Sequence, residues 1–454
     1  MRALIVNESG AQRAVGAAEL DELTDRAAAG LAGSGVSVGD VVLVRLGKSL
    51  EWLVAMRALW RLGAVSLPCP ELLTASDLAD RVARSGAVRT LLEPADLPFA
   101  DAAPPAPALA ADAPAFLLFT SGTEGGPKGA LHRRGYADAN RLQTERWMGA
   151  RPGDRVWCTA ATGWSKSLRN AWLAAELAGA QTVLHAGRFD AAERLELIGV
   201  VAPDVLCMSP TEYRRCAAAG EFDSADLSSV REAVAAGEAL DAATVERWRE
   251  VHGIAVRDGY GQTETGAVAG VLAGEQPVPG SLGRPLPGVG IHVADGELCV
   301  VASTLPTLFI GYLDDSEATG RSLQDGIWHT GDLVRQEADG RLWYDGRRDD
   351  VISSSGYRIG PGEVESALRS HPAVAEAAAV GLPDRDRGQI VHADVVLAPG
   401  AVPSDELADR LRTHVREATA PYKYPRSLRF VEELPRTTTG KVRRAAIRAD
   451  LARD

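Results

Sequence analysis

Cysteine is scarce in this 454-residue chain. The five present, Cys69, Cys158, Cys207, Cys216 and Cys299, are an odd number, and no two sit at metal-knuckle spacing. A disulfide framework and a zinc knuckle are therefore excluded, and this usage suits a reducing, cytoplasmic compartment. Long apolar runs are also missing. None reaches the ~18 residues needed to span a bilayer. The opening MRALIVNESGAQRAVG lacks the apolar core and small-residue cleavage site of a secretory signal. Positive charge is in deficit: 49 Lys and Arg against 61 Asp and Glu give a net charge of −12. Such a surface repels polyanionic backbones, which excludes nucleic acid as the main partner. There is no internal repeat. What remains is a globular composition, 46% hydrophobic and 24% charged, and this excludes disorder over most of the chain. The length suggests two to four domains or lobes, at roughly 100–200 residues each. The 46 glycines and 25 prolines imply many loops.

Leu20, Leu23, Ala27 and Leu31 recur at helical spacing until Gly33 and Gly35 break the pattern. Val41 to Leu46 is a β-branched run that predicts a buried parallel strand. Ser49 then caps a predicted helix that Gly63 stops, and Ala64 to Cys69 reads as a further strand. This strand–helix–strand order predicts α/β architecture. Pro98 to Ala115 is a Pro- and Ala-rich connector leading to the strand Phe116–Thr120. Beyond it, strands such as Asp204–Met208 alternate with helices such as Asp241–His252. Ile291–Val301 and Leu342–Tyr344 read as antiparallel structure. After Arg347 the texture becomes that of a compact α+β unit of about 100 residues. The predicted domains are thus 1–348, large and multi-lobed with βαβ sheets, and 349–454, small and α+β.

Five segments carry chemistry. Ser121–Gly129, SGTEGGPKG, follows a strand directly. Its hydroxyls, glycines and Lys128 suit a phosphate cradle, although Pro127 breaks the Walker pattern. Asp258–Gly266, DGYGQTETG, offers Glu264 for a magnesium ion, Thr263 for a phosphate and Tyr260 for stacking on a base. Trp328–Val334, WHTGDLV, offers Asp332 for ribose hydroxyls. The others are Gly346–Glu365 and Pro435–Arg444. Read singly, these segments also fit polar turns, and Lys441 fits a solvated surface charge.

Together, in this order and spacing, the five segments resemble the adenylate-forming superfamily of acyl-CoA synthetases, luciferases and carrier-protein-loading adenylation domains. The resemblance implies that a carboxylate attacks the α-phosphate of ATP, pyrophosphate leaves, and a thiol then displaces AMP from the acyl-adenylate. It assigns Thr120, Ser121, Gly122, Thr123 and Lys128 to the loop ordering the β- and γ-phosphates. Thr263 is assigned to the α-phosphate and Glu264 to Mg²⁺. Gly237 and Glu238 match the adenine-contacting turn, with Ala239 where many relatives have proline. Asp258 and Tyr260 match the adenine edge and stacking positions. Asp332 and Arg347 match the ribose-binding pair, and Lys441 the catalytic lysine.

The resemblance also implies movement. Asp349 matches the hinge; after adenylation the small domain turns, Lys441 leaves, and the strand bearing Gly356 enters. Gly356 would leave room for the pantetheine arm of coenzyme A, and Arg358 would contact phosphate. Within the superfamily, Ala161–Asp190 resembles medium-chain and, more distantly, acetyl-CoA synthetases. Trp164 and Leu168 are the candidate pocket residues there. Gly261 stands where acetyl-specific enzymes carry tryptophan, which implies an acid larger than acetate, acyl or aryl. GWSKS lacks the aspartate that holds an amino acid's amine. The chain is shorter than a full-length family member, and the expected assembly is monomer or homodimer. Besides an acid–CoA ligase, the sequence leaves open loading of a carrier protein's phosphopantetheine. It also leaves open a non-catalytic nucleotide-binding protein.

Overall fold

The computed structural model describes residues 1–7, 10–101, 106–120, 127–238, 240–355, 357–436 and 442–453. It divides into two units. The first takes the described residues of 1–122, 127–290 and 300–328, and the second those of 291–299 and 329–454.

Local signals account for the elements of the first unit. The helix Leu50–Leu62 starts where the Ser49 side chain accepts from Trp52 N, and it ends at Gly63 in the left-handed region. Asp241 caps Ala242–His252 in the same way, through Thr244 N. The β-branched strand Val41–Val44 lies parallel to Val65–Pro68 and Arg89–Leu91, as the strand–helix–strand order predicts. These strands belong to a six-stranded sheet, extended by Pro114–Phe119, Gly129–Arg133 and Gly311–Tyr312. A second, larger sheet has a parallel centre: Val256–Gln262, Glu232–Ala236, Val205–Met208, Arg155–Cys158, Gln181–His185 and Arg2–Val6. Antiparallel strands flank that centre on both sides. Both of its faces are packed, Trp52, Leu53 and Leu59 entering one core and Trp157, Tyr213 and Trp248 another. In such sheets ligand loops gather at the carboxyl ends of the parallel strands.

The second unit is mixed α+β. The long hairpin Val374–Asp384 and Gly388–Leu397 is joined by Ile352–Ser354, Tyr357–Ile359 and Ser427–Phe430. Helices Pro361–Arg369 and Asp405–Ala418 supply Leu368, Leu407 and Leu411 to its core. The strand Ile327–Gln336 pairs antiparallel with Leu342–Arg347. Asp349 lies in this unit, in the short turn Arg348–Asp350. Among the described residues no helix is long and apolar enough to cross a membrane.

Candidate active site

Strands Pro114–Phe119 and Gly129–Arg133 are neighbours, with Phe119 opposite Gly129. The junction is fixed on both sides: Thr120 N donates to Lys128 O (2.8 Å), and Lys128 N donates to Thr120 Oγ1 (3.2 Å). Ser121, Gly122 and Thr123 lie outside the described residues. The Lys128 ammonium sits 5.1 Å from the Tyr312 ring centroid, and Tyr312 Oη donates to Glu264 Oε1 at 2.7 Å. One tyrosine therefore links the predicted phosphate lysine to the predicted metal ligand. Pairing of Gly311–Tyr312 with Ala130 and Leu131 brings it there. No local pattern marks Tyr312. Only this long-range strand pairing reveals it.

The turn bearing Thr263 and Glu264 is held from within by Thr265 and from outside by Phe309 and Trp328. Gln262 N donates to Thr265 Oγ1, Phe309 N donates to Glu264 O, and Trp328 Nε1 donates to Gln262 Oε1. At the end of Glu232–Ala236, Gly237 has φ +101°, and Glu238 accepts from Thr211 Oγ1 at 2.6 Å. Asp258 and Tyr260 lie on the adjacent strand Val256–Gln262. Asp258 is buried, and Gly259 N donates to its Oδ1 at 2.8 Å.

Burial pushes the Asp258 carboxyl up to about 7, against the opposing pull of its backbone hydrogen bonds and of Lys166. In the unfolded chain an aspartate titrates near ~3.9. The folded protein thus retains a proton that the unfolded chain has already released. The contribution to stability is fully present below the unfolded value and declines as pH rises towards 7. Asp258→Asn keeps the shape and removes this titration. We expect the wild type to lose stability relative to the variant between about pH 4 and 7, by on the order of a few kcal/mol. Thermal melting of both proteins across this range is the check, and parallel pH profiles would contradict the assignment.

The segment that carries Trp164 reaches the carboxyl ends of two parallel strands. Lys166 Nζ donates to Met208 O (2.7 Å) and Ala236 O (3.0 Å), pinning the Trp164–Ser167 segment to two strand ends. Trp164 is half-buried, whereas Leu168 is fully buried in the core. Leu168 begins a π-helical stretch to Leu173, a local irregularity common at functional sites. Gly261 has a packing reason of its own. A Cβ there would lie 1.9 Å from Gly266 O, across a bulge in the strand pair.

In the second unit, Asp332 is buried opposite Arg347, with Arg347 Nη1 at 3.5 Å from Asp332 Oδ1. Thr330 Oγ1 accepts from Asp332 N. Glu297 braces this strand from beside it, accepting from Gly331 N and pairing with Arg348 at 2.8 Å. Sequence reasoning passed over Glu297, whose role rests on strand pairing. Ile352–Ser354 and Tyr357–Ile359 form the hairpin predicted to bear the pantetheine glycine. Ser353 stands opposite Arg358. Gly356 and Lys441 lie outside the described residues, and only the backbone of Arg358 is described.

The model of the AMP-binding enzyme family matches residues 2–100 and 90–306, and that of the AMP-binding enzyme C-terminal domain matches 363–441. The chain is 38% identical to an uncharacterized acyl-CoA ligase, YtcI, of Bacillus subtilis (strain 168), over 97% of this chain and 91% of that one. It is 37% identical to the mitochondrial acyl-coenzyme A synthetase ACSM3 of Homo sapiens, over 73% of this chain and 59% of the human protein. The crystal structure of the anthranilate CoA ligase AuaEII with anthranoyl-AMP superposes with a TM-score of 0.89 at 27% identity, covering 99% of this chain and 95% of that one. With both family models matched in chain order and the Bacillus ligase aligned almost end to end, the chain belongs to the AMP-binding enzyme family, in its acyl-CoA synthetase branch.

Proposed function

We propose that the protein is an ATP-dependent acid–CoA ligase that activates a carboxylic acid larger than acetate through an acyl-adenylate. The linkage Lys128–Tyr312–Glu264 carries this reading: it joins a cation and an oriented carboxylate through one tyrosine. Attack of a carboxylate on a phosphate brings like charges together, so a site for it must supply positive charge and donors. Lys128 supplies charge from the junction after Thr120. Thr263 is the donor for the α-phosphate, and Lys441 is the cation at the attacking carboxylate.

A Glu264 carboxylate fixed by Tyr312 Oη is a hard oxygen donor held in one orientation, which fits Mg²⁺. Glu264 would hold the ion, and the ion when bound would neutralise charge on the leaving phosphates. Asp258 and Tyr260 take the adenine and Asp332 with Arg347 the ribose. Residues 349–454 act as the small mobile domain, with its hinge at Asp349. After adenylation the strand bearing Gly356 and Arg358 receives coenzyme A. The relative with anthranoyl-AMP bound supports an aryl or larger acyl acid. The place of action is the cytoplasm.

The test is pyrophosphate release with a panel of carboxylic acids, each scored for its CoA thioester by mass spectrometry. Thioester formation only with acids larger than acetate is expected. Release of AMP with no thioester on free CoA would transfer the reading to a carrier-protein acceptor.

Tyr312→Phe probes the supporting observation. The variant keeps the ring beside Lys128 and loses the hydrogen bond to Glu264. A hydrogen bond to a charged group contributes about 1.5–3 kcal/mol, so adenylation should fall roughly 10- to 100-fold. A higher magnesium requirement should accompany it. An unchanged magnesium titration would show that Tyr312 does not orient Glu264.

A further inference from the structure

Four arginines are buried among the described residues: Arg81, Arg169, Arg194 and Arg257. Three have a carboxylate partner. Arg81 pairs with Asp80, Arg194 with Glu212 at 3.3 Å, and Arg257 with Glu232 at 2.7 Å. Arg169, only 8% exposed, has none among the described residues. Its Nε donates to Ser165 O at 3.3 Å, while Nη1 is buried without a hydrogen-bond partner. A buried cation without an anion is strongly disfavoured. Among the described residues no group of opposite charge offsets it, so the position suits an anionic ligand.

Its place says what that is. Arg169 stands second in the π-helical stretch Leu168–Leu173, in the segment assigned to the acyl group. Its Nη1 lies 3.4 Å from where a Cβ on Gly266 would be, so only the hydrogens of that glycine separate the guanidinium from the end of the Thr263–Gly266 turn. The aromatic groups nearby bring no negative charge. The His132 ring lies 4.4 Å from that of Tyr136 and 6.4 Å from that of Phe309. Burial and then the Arg169 charge push His132 down to about 3, so its ring is neutral.

We propose that Arg169 is an anion subsite in the acyl pocket: the acid is a dicarboxylic acid, held at its second carboxylate by Arg169 while its first reacts. This rests on the acid–CoA ligase reading above. A guanidinium presents a planar fork of donors that matches a carboxylate, and only a full negative charge answers a buried full positive one. In the reaction one carboxylate oxygen bonds to the α-phosphorus as the bond to pyrophosphate breaks, and thiol attack then releases AMP. The second carboxylate keeps its charge throughout, so the product is a monothioester with a free acid end.

The experiment compares matched pairs of straight-chain acids, a dicarboxylate and the monocarboxylate of equal carbon number, with the wild type, Arg169→Leu and Arg169→Lys. The wild type should favour the dicarboxylate by on the order of 10²–10³-fold in kcat/KM, the effect of a buried charge pair. Arg169→Leu should reverse the order, and Arg169→Lys should restore part of it. Without ligand, Arg169→Leu should melt higher than the wild type, because it removes an uncompensated buried charge. A wild type indifferent to the second carboxylate would overturn the proposal. So would an Arg169→Leu variant that loses ATP affinity and keeps its acid preference, since the anion would then be a phosphate. If no acid is turned over, the ligase reading fails by itself, and calorimetric titration of the dicarboxylates decides the subsite. Binding that disappears in Arg169→Leu supports it, and binding unaffected by the change, or none, refutes it.

Discussion

Lys441→Ala is expected to lose acyl-adenylate formation by on the order of 10²–10³-fold or more while still making thioester from a supplied acyl-adenylate. In the proposed mechanism Lys441 stabilises charge only while the carboxylate attacks ATP. A positioned cation in a water-poor site is worth about as much as an oxyanion donor, which sets the scale. The thioester step uses the strand bearing Gly356 instead, after the small domain has turned about Asp349. The two half-reactions should therefore separate. Acylation of the Lys441 amine would remove the same charge and should switch off the same step. The assay supplies synthetic acyl-adenylate and CoA to the variant and follows CoA consumption, beside pyrophosphate release from acid and ATP. Equal loss in both assays, or loss in neither, would show that Lys441 does not belong to adenylation alone.

Glu264→Gln should nearly abolish adenylation. A neutral amide is a poor ligand for Mg²⁺, which prefers charged oxygen donors. The change is isosteric, and Tyr312 Oη can still donate to the amide oxygen, so the fold should be retained. Pyrophosphate release should fall by on the order of 10²–10³-fold, comparable to loss of one transition-state contact. Raising magnesium should recover only part of it. Circular dichroism would establish that the variant is folded. Wild-type pyrophosphate release at low magnesium would remove Glu264 from the metal site.

The elements built from local chemistry were legible in the sequence. Ser49 and Gly63 bound their helix as expected, because a cap and a left-handed stop act within a few residues. Val41–Val44 is parallel to Val65–Pro68, as a β-branched run before an amphipathic helix implies. Thr120, Lys128 and Glu264 sit next to strand ends or in a turn, where a motif is local, whereas Asp258 and Asp332 lie within their strands. What sequence reading missed depends on contacts far apart in the chain. Tyr312 reaches Glu264 across 48 residues, and Glu297 reaches Gly331 across 34. Gly261 was read as an opening for a larger acid, while its close approach to Gly266 O requires the folded strand pair to be seen. Arg169 carries no motif at all. Its lack of a carboxylate partner among the described residues emerges only beside the other three arginines buried there, each of which has one.

The most direct measurement is a single-turnover experiment on the purified protein. Enzyme in excess over acid is mixed with ATP and Mg²⁺, quenched, and analysed for acyl-AMP and pyrophosphate, and CoA is then added to a parallel sample. Acid–CoA ligation through an adenylate predicts acyl-AMP and pyrophosphate in equal amounts before CoA is added. It also predicts conversion of that acyl-AMP to thioester and AMP afterwards. Thioester formed with ADP and phosphate, or acyl-AMP that CoA does not consume, would contradict it.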